Sequence, residues 1–96
     1  MITDKSRYEK IQTLLDRAHE FPGQYLHKFI GANSPAFHAA VAEMESVFPT
    51  LKLQIRRESE AGKYSAYTFD FHAQSSDEVI LLVEVTGNLA GLVAVY

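Results

Sequence analysis

Tyr25-Leu-His-Lys-Phe-Ile-Gly-Ala-Asn-Ser-Pro-Ala-Phe37 decides how this chain folds. Its first half has strand character, with aromatic and aliphatic residues interleaved with Lys28. Gly31 ends that strand. Ser34-Pro35 then starts a helix, with a hydroxyl as N-cap and a proline at the first helical position, where the missing N–H costs nothing. A strand that turns on glycine into a helix opens a crossover unit.

Upstream, Tyr8, Ile11, Leu14, Leu15 and Ala18 form one stripe of an amphipathic helix over residues 4–20. Ser6 with Glu9 makes a capping box, and Thr3 is an alternative cap one turn earlier. Pro22-Gly23 stops this helix, and the strand at 24–30 follows. Downstream, Phe37, Ala40, Val41, Met44, Val47 and Phe48 mark the second helix, which Pro49 ends. Leu51, Leu53 and Ile55 alternate with Lys52, Gln54 and Arg56, as in a strand with one wet face. Ser59 to Gly62 is a turn, and residues 64–73 alternate again through Tyr67, Phe69 and Phe71. Ser75 with Glu78 predicts a capped helix at 76–86, and Leu92 to Tyr96 a final strand.

After the first helix the order is β-α-β-β-α-β, the split pattern of an α+β ferredoxin-like domain. It predicts right-handed crossovers and a four-stranded antiparallel sheet in the order 4-1-3-2, with both inner helices on one face. Tyr25, Phe29, Leu51, Leu53, Ile55, Tyr67, Phe69 and Phe71 should meet the helices. Leu26, Lys28, Ile30, Gln54, Arg56, Tyr64, Ala66, Thr68, Asp70 and His72 should face away. The 96 residues make one domain, with 1–20 as a helical extension and 21–96 as the core.

Composition narrows the chemistry. Cysteine is absent, which excludes disulfides, thiolate nucleophiles and zinc–cysteine sites. No run of apolar residues is long enough to span a membrane, and the polar N-terminus lacks a signal core, so a cytoplasmic protein is expected. A net charge of -3 argues against nucleic acid as the default partner, because phosphate neutralisation dominates that affinity.

Phe21-Pro22, Lys28 to Asn33 with Phe37, Ser59, Gly62-Lys63-Tyr64 and Tyr67-Thr68 resemble the YbeD-like family of small bacterial proteins of unknown function. A Ser-x-x-Glu helix start and a short apolar last strand complete the resemblance, which covers about residues 20–96. It implies a ferredoxin-like fold similar to ACT domains, which bind amino acids and regulate metabolic enzymes. It brings no catalytic residues and no cofactor. His27 stands where the family usually has an aliphatic core residue, and Ala61 where lysine commonly precedes the glycine.

Several constellations qualify as candidate sites. Gly31, Ala32, Asn33 and Ser34 lead into a helix N-terminus, whose free amides and dipole favour a small anion. In ACT-like domains the equivalent loop often lines a ligand site. An alternative nucleic-acid surface comprises Lys28, Lys52, Arg56, Arg57, Lys63 and Tyr64, diluted by Glu58 and Glu60. RNA modules of this fold carry aromatics on the open face, whereas Phe29, Tyr67 and Phe69 are expected inside. His19, His27, His38 and His72 lack metal-ligand spacing, so no metal is expected. His27 should be a core-edge imidazole bonded to a neighbour. Asp70 and His72 share a face but have no evident nucleophile beside them, so no enzyme is expected. The last strand is uncharged, and apolar surface there needs cover. Leu14, Leu15, Leu92, Val93 and Val95 are therefore candidate contacts, supplied by the first helix or by a second copy in a homodimer. The expected role is a regulatory or interaction domain for a small anionic metabolite or a protein partner.

Overall fold

The computed structural model describes residues 5–96. In chain order it contains α1 (Lys5–Ala18), β1 (Gly23–Ala32), α2 (Pro35–Val47), β2 (Leu51–Glu58), β3 (Tyr64–Ala73), α3 (Ser76–Gly87) and β4 (Leu92–Val95). The sheet order is β2-β3-β1-β4, and every neighbouring pair is antiparallel. This is the expected 4-1-3-2 plait. Thr3, one alternative cap of α1, lies outside the described residues. Ser6 falls inside the helix and so is not its N-cap.

β1 and β3 form the spine, in unbroken register from Gly23 opposite Ala73 to Ala32 opposite Tyr64. Phe29 stacks on Tyr67 and Phe69 with ring centroids 5.6 and 5.9 Å apart, all three on the helix side. Phe37, Val41 and Met44 of α2 and Val79 and Leu82 of α3 close the core over them. α2 begins as expected: the Ser34 Oγ accepts from the Phe37 N–H at 3.3 Å, with Pro35 in the first turn. α3 departs from the reciprocal capping box. The Glu78 carboxylate accepts from the Gln74 N–H at 2.7 Å, and Ser75 makes no side-chain cap.

β2 brings a correction. The register shifts between Leu53, opposite Phe69, and Ile55, opposite Thr68, so Gln54 is an extra residue in a bulge. Side chains after it exchange faces. Ile55 turns to the open face, Arg56 comes to the helix side opposite Tyr67, and Arg57 joins the open face opposite Ala66. An edge strand tolerates the bulge because only one of its sides must keep a ladder. Leu53 keeps its expected face but stays 44% exposed, since the helices do not reach that edge.

α1 packs in the helix layer. The Tyr8 hydroxyl and the Gln12 amide both donate to the Asp77 carboxylate at the start of α3, while Leu15 and Phe21 press on the core. α1 therefore flanks α3, and Val93, Val95 and Tyr96 at β4 remain exposed.

Candidate binding site on the open sheet face

β1 runs past Gly31, where the sequence pattern ends it, to Ala32, so only Asn33 and Ser34 join the strand to α2, and the segment from Gly31 to Ser34 is a tight junction. A Cβ on Gly31 would lie 2.4 Å from the Phe37 ring, so glycine lets α2 close onto β1. Its amides are engaged: Ala32 N–H donates to Gly91 O at 2.8 Å, Asn33 N–H to Lys63 O at 2.9 Å and Ser34 N–H to Ala32 O at 2.9 Å. The loop thereby ties β1 to the entry of β4 and to the β2–β3 turn. Gly62 holds that turn with φ of +72°, a conformation that suits glycine.

Beside the loop runs a polar chain that the sequence did not reveal. His38, one turn into α2, lies 2.6 Å from the Tyr67 hydroxyl through Nδ1 and 2.6 Å from Asn33 Oδ1 through Nε2. Asn33 Nδ2 donates to Gly62 O at 3.0 Å. An amide oxygen can only accept, so His38 Nε2 carries hydrogen and Nδ1 accepts from Tyr67. Arg56 Nη2, 3.3 Å from Nε2, then has nothing to donate to there. It pairs instead with Glu58 at 3.2 Å, and its guanidinium lies 5.6 Å from the centre of the Tyr67 ring. Burial raises the Tyr67 hydroxyl pKa, with Arg56 opposing. Each member of this chain has a partner, so it braces loop, α2 and β3 together.

The open face is different. Lys28, Ile55, Arg57, Ala66 and Thr68 line a shallow cleft of about 300 Å³. Two cations flank a hydroxyl and an apolar floor, the donor set for an anionic group with a small hydrocarbon part. The bulge creates this grouping by moving Ile55 and Arg57 across the sheet. Lys52 stands further along opposite Asp70, whose carboxylate meets the Gln24 amide. Tyr64 is 44% exposed at the far end of β3, beside Lys63 on the turn. Of the six residues in the alternative nucleic-acid set, then, Lys28, Lys52, Arg57 and Tyr64 share the open face, while Arg56 is turned away and Lys63 sits on the turn.

His27 is fully buried on the helix side, with Nε2 2.8 Å from Thr86 Oγ1. The Thr86 hydroxyl lies 2.7 Å from Leu82 O and donates to it, so His27 Nε2–H is the donor to Thr86. The Nδ1 lone pair has no partner. Burial lowers the His27 pKa to about 4, so the ring is neutral. His72 and Asp70 project from the open face at i, i+2, and Ser65, buried opposite Gly31, points the other way. Among the described residues, no group of three His, Asp or Glu side chains gathers as a metal ion requires. No helix of the described residues is long and apolar enough to cross a membrane.

The candidate dimer contacts divide. Leu15 and Leu92 pack against the chain's own core, whereas Leu14 is 64%, Val93 58% and Val95 37% exposed.

No curated protein and no solved structure matches the chain. A family model described as "Protein of unknown function (DUF493)" matches residues 16–90, from the last turn of α1 to the approach to β4, in keeping with the YbeD-like resemblance; the chain belongs to that family.

Proposed function

We propose that this domain is a non-enzymatic regulatory module, ACT-like in build, that binds a small anionic metabolite between Lys28 and Arg57. The observation that carries this reading is the bulge at Gln54, which sets Arg57 beside a cleft that Lys28 and Thr68 also line. The engaged amides of the Gly31 to Ser34 loop favour cationic side chains over loop N–H groups as the anion's partners. The loop's part is to hold β1, α2 and the hairpin in register beneath that face.

An NMR titration with phosphate, short dicarboxylates and acidic amino acids tests the reading. Saturable shifts should centre on Lys28, Ala66 and Thr68, and Lys28→Ala with Arg57→Ala should abolish them. Shifts centred on Asn33 and Ser34 would return the anion to the loop. No saturable shift with any of these ligands would overturn the metabolite reading in favour of a protein partner.

The open face also bears on the nucleic-acid alternative, since Lys52 and Tyr64 lie on it with Lys28 and Arg57. Phe29, Tyr67 and Phe69, however, are stacked in the core, which leaves Tyr64 to stack a base. Three phosphate contacts would give a log–log salt slope of roughly -2 to -3. Sub-micromolar binding of that steepness, lost in Arg57→Ala, would favour RNA. The same proposal has the domain act as a homodimer through β4, an uncharged edge with Val93 and Val95 exposed, whereas β2 carries Lys52, Arg57 and Glu58. Sedimentation of the full chain and of Val93→Lys should show a dimer and a monomer respectively.

A further inference from the structure

α2 and α3 run antiparallel over the sheet, and a groove opens between them. At one end Val47, Phe48, Phe71 and Leu81 line a cleft of about 300 Å³, and at the other Ala40, Met44, Val47, Val85 and Leu89 line one of about 410 Å³. Val47 belongs to both, so the two clefts adjoin. The floor is core: Met44, Phe48 and Phe71 are all buried. The rim is apolar where a core residue would normally be covered, with Val47 65% and Leu81 53% exposed across the cleft from each other.

Charge selects the occupant. Neither helix carries a lysine or arginine, while Glu43 and Glu45 on α2 and Asp77, Glu78 and Glu84 on α3 give this pair of helices one sign. Glu43 and Glu78 line the two clefts themselves. The molecule already shows what suits this layer. α1 is amphipathic, with Arg7, Lys10 and Arg17 against Glu9 and Asp16, and it lies along the flank of α3 with Leu15 on the core and Tyr8 and Gln12 on Asp77. The lysines and arginines outside α1 stand on the strands and the β2–β3 turn, so a second copy would have to turn its sheet face or its α1 into the groove.

We infer that the α2–α3 groove docks a basic amphipathic helix of a partner protein. Apolar side chains at i, i+4 and i+7 enter the clefts beside Val47 and Leu81, and Lys or Arg on the helix flanks meet Glu43 and Glu78. This surface lies on the opposite side of the sheet from the Lys28–Arg57 cleft, so the two proposals stand or fall separately.

The test uses the full chain and two synthetic helical peptides. Both carry leucines at i, i+4, i+7 and i+11; one has lysine on the flanks and the other glutamate. The lysine peptide should bind with amide shifts confined to α2 and α3, around Met44, Val47, Leu81 and Val85. Its affinity should fall roughly threefold or more on raising salt from low to physiological strength. The glutamate peptide should bind at least tenfold more weakly. Val47→Lys with Leu81→Lys changes two exposed positions and should abolish binding, and Glu43→Lys should weaken the lysine peptide selectively. Equal affinity for both peptides, shifts on the open face or β4, or no binding at millimolar peptide would overturn the proposal. So would self-association that Val47→Lys with Leu81→Lys relieves, which would make a second copy the occupant.

Discussion

His27→Leu should remove most of an acid-induced loss of stability that the wild-type chain shows between pH 7 and pH 5. His27 is fully buried between the Tyr25 and Phe29 rings, with Thr86 as its hydrogen-bond partner. Its pKa falls from the ordinary 6.5 to about 4 because burial disfavours the imidazolium. The unfolded chain therefore binds a proton in this window that the folded chain refuses, and stability falls as pH drops through it. The contribution is fully present above about pH 6.5 and is lost progressively towards pH 4. Over the step from pH 7 to pH 5 the loss is about 2 kcal/mol, against a total of ~5–14 kcal/mol for a chain of this length. Leucine cannot be protonated, and it removes the orphaned Nδ1, whose burial costs ~1–3 kcal/mol. Thr86 still donates to Leu82 O at 2.7 Å, so no new orphan donor is made. Urea denaturation of both proteins at pH 5, 6 and 7 provides the assay. His19, His38 and His72 are common to both, so the difference between the two curves isolates His27. The variant should match or exceed wild type at pH 7, and the gap should widen by about 2 kcal/mol at pH 5. A gap that stays constant across this range would refute the reasoning.

Three further outcomes are expected. Phe69→Ala removes a fully buried ring stacked on Phe29 and Tyr67 and should cost ~3–5 kcal/mol in the same urea assay. Gly31→Ala places a methyl 2.4 Å from the Phe37 ring and should cost ~1–3 kcal/mol by overpacking, with Phe37→Leu restoring part of the loss. Tyr67→Phe strips His38 Nδ1 of its donor and should lower thermal stability by ~1–2 kcal/mol, with faster amide exchange at Asn33 and Lys63, where the loop meets the hairpin.

The elements and their order were legible because each has a local cause. Ser34-Pro35 starts α2 wherever that helix ends up, and the Tyr67-Phe69-Phe71 alternation fixes the faces of a central strand that is paired on both sides. β2 departs from its sequence pattern beyond Leu53 because its apolar alternation runs on through Ile55 while the backbone does not. At an edge, hydrophobicity is a weak guide to register, and Arg56-Arg57 gives no parity signal of its own. The Tyr67–His38–Asn33 chain was illegible for another reason. It joins residues up to 29 apart, and its geometry exists only once α2 lies across β3. His27 was expected as a bonded imidazole near the core edge; its full burial follows from α3 closing over β1, which no local pattern reports.

The single extra residue at Gln54 makes the surface chemistry of β2 depend on whether that residue is looped out or paired, as well as on side-chain identity. Deleting it would leave Ile55, Arg56 and Arg57 on their present faces, whereas pairing it into a straight ladder would return Ile55 to the helix side, send Arg56 outward in place of Arg57, and so disperse the cations around Lys28 without replacing any of them. An insertion one or two residues away could do the same. A relative that took this residue into its ladder would therefore present a different open face despite identical composition, and one that lacked it would present the same face. Aligning this hairpin by residue type alone would equate positions that lie on opposite sides of the sheet.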